Sequence, residues 1–137
     1  MQAEALELVD VSITDIILQN HAFNDTTVTT PGARAAYLAS MTHLRLDRLH
    51  LASLDLSLAS KLSRVTHLYL QHNQLTSMAA MAAFPQLRLC SLSSNHITSV
   101  EGVQQLQHLL ALDLGDNAIE VLESAQLPLC LRILKVS

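Results

Sequence analysis

The side chains able to do chemistry fall into three small sets. His43 and His67 occupy matching places in the strings MTHLRL and VTHLYL. On adjacent extended strands their rings would stand about 4.8 Å apart, near enough to consider a shared metal ion. No third ligand accompanies them, whereas zinc takes four, so both are expected as surface histidines. Asp113 and Asp116 can be read as a carboxylate pair, but no nucleophile flanks them and the face they occupy is expected to be open. Cys90 and Cys130 lie far apart without metal-type spacing and are expected as free thiols, with Cys90 serving as a small hydrophobe. The sequence contains no phosphate loop, nucleophile elbow or zinc-helix motif. No catalysis, no cofactor and no metal are expected.

The elements that must position these residues emerge from a repetition. Asn73, Asn95 and Asn117 follow one another at intervals of 22 residues. The strings around them, VTHLYLQHNQLTSM, LRLCSLSSNHITSV and LLALDLGDNAIEVL, all fit L-x-x-L-x-L-x-x-N-x-L-x-x-L with conservative replacements. Two partial copies extend the pattern: MTHLRLDRLHLASL from Met41, with Leu49 where Asn belongs, and LRILKVS from Leu131. This is the leucine-rich repeat pattern, in which each copy forms one coil of a solenoid. The predicted fold is α/β: a parallel inner β-sheet of about five strands, short helical or 3-10 convex segments, and an N-terminal helical cap. Residues 1–40 form the cap, and 41–137 the repeats, divided as 41–64, 65–86, 87–108, 109–130 and a partial 131–137.

Stacking predicts three core rows: Met41, Val65, Leu87, Leu109, Leu131; Leu44, Leu68, Cys90, Leu112, Leu134; and Leu46, Leu70, Leu92, Leu114, Val136. The asparagine follows from the geometry of a coil. The chain must turn sharply out of its strand, which strands backbone groups, and Asn offers both a donor and an acceptor where leucine offers neither. On the convex side, Met81/Phe84 and Val103/Leu106, each three apart, predict one-turn segments facing the core. Leu49 is expected where the first coil caps the stack and its turn is more exposed or differently shaped.

Ahead of the repeats, Ser12-Ile13-Thr14-Asp15 resembles a capping box opening a helix over 13–20, ended near Asn20. After NDTTVTT, Thr30 as N-cap and Pro31 at the first helical position open a second helix. At the other end LRILKVS stops before the position of the next Asn, which predicts further chain past Ser137 or a partner over that edge.

Composition sets limits. Of 137 residues half are hydrophobic, only 3% are aromatic and none is Trp, so the core must be aliphatic. Net charge is −4 and the basic residues are spread along the sequence, which argues against nucleic-acid binding. No apolar run approaches the ~18 residues of a membrane span, and the start MQAEALELVD is acidic where a signal peptide would be basic. A cytoplasmic or cytoskeletal location is expected.

Alternation along the strands assigns the outward residues. One row is His43, His67, Leu89, Ala111 and Ile133; the next is Arg45, Tyr69, Ser91, Asp113 and Lys135; Arg48, His72 and Asp116 lie toward the turn. This face suits a protein partner. Tyr69, an isolated aromatic without a structural duty, is its expected anchor.

The 22-residue repeat resembles the short, typically intracellular leucine-rich repeat proteins, a group that includes the phosphatase 1 regulatory subunit and the leucine-rich dynein light chain of the ciliary outer arm. The strings VSITDIIL, HLRLDR, HLYLQHNQL, LSLSSNHITSVEGV, LLALDLGDNAIEVLE and LRILKVS are similar, in order and spacing over residues 11–137, to a family member associated with motile cilia and sperm flagella. Residues 24–40 depart in detail. The resemblance implies a non-enzymatic axonemal subunit of a radial spoke, dynein regulatory or doublet microtubule complex. The alternative it implies is an adaptor of the phosphatase regulatory type.

Overall fold

The structure, a computed structural model, describes residues 31–54 and 60–137. The helix expected over 13–20, with its capping box, and the Thr30 N-cap lie outside the described residues. Pro31 opens helix α1, Pro31–Ser40, consistent with proline at the first helical position, where its missing N–H leaves no bond unmade. Leu38 of α1 is buried in the same core as the first repeats, beside Met41.

Five short strands follow: β1 His43–Arg45, β2 His67–Tyr69, β3 Leu89–Ser91, β4 Ala111–Asp113 and β5 Ile133–Lys135. They form one parallel sheet in chain order. Their register is the sequence repeat itself: His43 faces His67, His67 faces Leu89, Leu89 faces Ala111, and Ala111 faces Ile133. Three 3-10 helices close the coils on the convex side: η1 Ala79–Ala83, η2 Val103–Gln105 and η3 Ser124–Gln126. Met81, Phe84, Val103 and Leu106 are buried, as their spacing predicts, whereas η3 buries nothing.

The core rows close over the first four coils. Leu44, Leu46, Val65, Leu68, Leu70, Leu87, Leu92, Leu109 and Leu114 are fully buried, and Cys90 fills its leucine position in the second row. The last coil departs from expectation. Leu131 and Leu134 are only half-buried and Val136 is 49% exposed, because β5 pairs with β4 on one side alone.

Each coil leaves its strand through one left-handed residue. Arg48, His72, Ser94 and Asp116 have φ of 58, 58, 58 and 54°, and each stands immediately before Leu49, Asn73, Asn95 or Asn117. A residue with φ > 0 reverses the chain direction sharply, at a steric cost that the following side chain must offset.

That offset is an amide ladder. Asn73 Nδ2 donates to Leu70 O at 3.0 Å in its own coil and to Leu46 O at 2.9 Å in the coil before. Its Oδ1 accepts the N–H groups of Leu49 and Leu51, both at 3.0 Å. Asn95 repeats the arrangement with Leu92 O, Leu70 O and Leu75 N–H, and Asn117 with Leu114 O, Leu92 O and Ile97 N–H. Each asparagine therefore reaches backward.

Leu49 finds its explanation here. The Arg48 turn has the same left-handed φ as the others, but Leu49 is half-buried where Asn73 and Asn95 are only 5% exposed. Coil one does add a second left-handed residue, His50 at φ 57°. Among the described residues β1 begins the sheet, so an Asn at 49 would find no carbonyl of a preceding strand there to bond. Leu49 instead packs against the core, half-buried.

Candidate interaction surface

The sheet presents its outward side chains in the two rows that the alternation assigns. In the first, His43 and Ile133 are exposed, and His67, Leu89 and Ala111 half-buried. In the second, Arg45 and Lys135 are exposed, Tyr69 and Asp113 half-buried, and Ser91 only 8% exposed. Ser91 is a correction to the expected contact surface: a small side chain between Tyr69 and Asp113 in register, it forms floor rather than rim. Arg48, His72 and Asp116 ride on the left-handed turns and are exposed.

The structure brings several of these residues together. The rings of His43 and His67 stack with centroids 4.1 Å apart and planes 11° from parallel. Each Nδ1 lies beside the hydroxyl of the preceding threonine, at 3.0 Å for Thr42 and 2.8 Å for Thr66. Stacked rings direct their lone pairs in parallel planes, so the two nitrogens cannot converge on one ion at the ~2.0 Å that coordination needs. Among the described residues no three His, Cys, Asp or Glu side chains come together as a possible metal set. Burial, reinforced by the charges of His43 and Arg88, holds His67 below the ordinary histidine range.

Tyr69 sits at the centre. The guanidinium carbon of Arg45 lies 5.6 Å from its ring centroid, within cation–π range. Arg45 also approaches Asp47 at 3.7 Å, and Arg48 reaches the other Asp47 oxygen at 3.2 Å. Asp47 thus ties the two arginines at the N-terminal end of the face. On the other flank of Tyr69 a hollow of about 270 Å³ opens, walled by Leu89, Ala111, Ile133, Asp113, Lys135 and Gln71. Gln71 Oε1 is buried there without a hydrogen-bond partner.

Asp113 and Asp116 do not act as a pair. Asp113 Oδ1 accepts the Gly115 N–H at 3.0 Å, while Asp116 stands apart on its turn. Both cysteines are free. Burial pushes the Cys90 thiol up to about 12, and the Cys130 thiol donates to Leu109 O at 3.1 Å. The sequence disclosed who faces outward. It did not disclose the histidine stack, the Arg45–Tyr69 contact or the hollow, which depend on side-chain rotamers; the signal for the stack was the repeated Thr-His-Leu string.

Comparison with known families places the repeats directly: residues 39–97 match the leucine rich repeat family model. The fold is that of a leucine-rich repeat solenoid. Solved structures share this fold. The chain is similar to internalin C2 of Listeria monocytogenes, with TM-score 0.60 and 20% identity over 80% of this chain and 57% of that one. Internalin F of the same organism gives TM-score 0.60 and 22% identity over 88% of this chain and 40% of that one. The LRIM1/APL1C complex gives 0.53 and 20% over 75% and 25%. The solenoid thus spans little more than half of internalin C2 and less of the others. No curated protein matches the sequence.

Proposed function

We propose that the chain is a non-enzymatic protein–protein interaction module whose concave sheet face docks a partner, and that it serves as a scaffolding subunit of the ciliary or flagellar axoneme. The observation that carries the docking reading is the Tyr69 centre: an aromatic ring held by Arg45 on one side and opening onto an aliphatic hollow on the other. Tyr with Arg around a partly desolvated pocket is the composition of interface hot spots. His43, Arg48, His67, His72, Leu89, Asp113, Asp116, Ile133 and Lys135 complete the contact surface, with Ser91 beneath it.

Area supports an assembly. Five strands spaced ~4.8 Å apart, each presenting ~15 to 20 Å of length, give a concave patch on the order of 400 Å², against ~800 Å² per partner in a standard interface. Further contacts from the solenoid's sides or ends must contribute, as they do for a subunit embedded in a larger complex. The axonemal placement, in a radial spoke, dynein regulatory or doublet microtubule complex, rests on the resemblance of the strings quoted above to leucine-rich repeat-containing protein 46.

The test is a double variant, Tyr69→Ala with Arg45→Glu, expressed in place of the native chain in flagellated cells. Retention in detergent- and salt-extracted flagella should fall while the melting temperature of the purified protein stays unchanged. Undiminished retention would refute the docking face. Absence of the unaltered protein from extracted flagella, with phosphatase co-purifying from cells that lack flagella, would favour the adaptor reading instead.

A further inference from the structure

We propose that the sheet edge where the strands begin is an anion-recognising groove that docks a short acidic segment, rich in Asp or Glu, of a partner protein. The turns feeding each strand are equivalent: Val65, Leu87, Leu109 and Leu131 donate their N–H to the carbonyl three residues back at 3.1 to 3.4 Å. The residues just before them are Arg64, Gln86, His108 and Cys130; those just after are Thr66, Arg88, Leu110 and Arg132. Stacking gathers Arg64, Arg88, His108 and Arg132 along one edge, although they are scattered in the sequence. His67 stands at its inner border.

Among the described residues no carboxylate pairs with them. The sequence has no Asp or Glu between Asp55 and Glu101, and none of the equivalent edge positions is acidic in any coil. The acids of the concave side, Asp47, Asp113 and Asp116, lie at or beyond the ends of the strands. No hydrogen bond or ion pair engages the side chains of Arg88, His108 or Arg132 among the described residues.

At the middle of this edge Thr66, His67, Gln86, Arg88 and His108 surround a depression of about 530 Å³. A carboxylate entering it meets a guanidinium fork from Arg88, with the Gln86 amide and the His108 imidazole beside it, a donor set suited to an oxyanion. Arg88 acting on His67 marks the same place as a site of positive potential, which a carboxylate would relieve. Three strand steps of ~4.8 Å separate Arg64 from the last coil, about 14 Å, the length of some four extended residues. Nucleic acid fits less well, because the chain is net negative and no Phe, Tyr or Trp lines the depression for a base to stack on.

The experiment is fluorescence anisotropy of labelled hexaglutamate, hexaglutamine and a single-stranded hexathymidylate against the whole protein at low salt. Hexaglutamate should bind and hexaglutamine should not. Arg88→Glu and His108→Glu, both at exposed positions, should each weaken binding about tenfold or more with unchanged melting. Arg45→Glu on the concave face should leave it within about twofold, since screening limits its reach, so this groove and the concave docking face fail or stand separately. Absence of hexaglutamate binding, indifference to both edge variants, or tighter binding of the oligonucleotide would overturn the proposal.

Discussion

Replacing the ladder asparagines by leucine should not be equally costly, although the repeat makes them look interchangeable. Asn95→Leu leaves one buried group with no partner, the Leu75 N–H, because Leu70 O keeps Asn73 and Leu92 O keeps Asn117. Asn73→Leu orphans three: the Leu49 and Leu51 N–H groups and Leu46 O, which no other donor reaches among the described residues. At ~1 to 3 kcal/mol for each buried group left unpaired, Asn95→Leu should cost ~1 to 3 kcal/mol and Asn73→Leu ~3 to 6, with the partly hydrated Leu49 N–H pulling the sum down. Both asparagines are 5% exposed, so burial does not separate them. Urea denaturation followed by circular dichroism measures this: with a slope of ~1 to 3 kcal/mol per molar, the Asn73 variant should unfold at clearly lower urea than the Asn95 variant at similar slope. Equal midpoints, or a lower midpoint for Asn95→Leu, would refute the claim that each amide serves the coil before it.

Leu112→Ala, at a position 1% exposed, should cost ~2 to 5 kcal/mol by urea melt, and Leu134→Ala, half-buried on β5, distinctly less. His67 has a depressed pKa, so its contribution to stability is fully present above the unfolded value and is lost as pH falls through the lower folded value. Thermal melts from pH 7.5 to 5 should show this decline, and His67→Gln should flatten it. Cys90, with its thiol pushed up to about 12 by burial, should resist iodoacetamide until the protein unfolds. Early mass-spectrometric labelling at Cys90 in the folded protein would contradict its place in the core.

The coil architecture was legible because a 22-residue period in Leu and Asn has one economical solution, layers that bury one row on the next. The outward rows were legible for the same reason: once a strand is placed, alternation decides the face. Leu49 was legible only as an exception, since the backward reach of each asparagine belongs to the contact between coils rather than to one repeat. The basic edge escaped notice because Arg64, Arg88, His108 and Arg132 are neighbours only after stacking; along the chain they look dispersed. Val136, assigned to a core row by the repeat, is exposed because β5 pairs with β4 alone, the bare edge that the break after LRILKVS already implied.

The most direct test of the docking face is hydroxyl-radical footprinting of the purified protein and of the same protein within its native complex, read residue by residue by mass spectrometry. Tyr69, Leu89 and Ile133 should lose reactivity in the complex while exposed Val121, outside the sheet, keeps it. Equal oxidation of Tyr69 in the two samples, with protection confined to the convex side, would contradict the account.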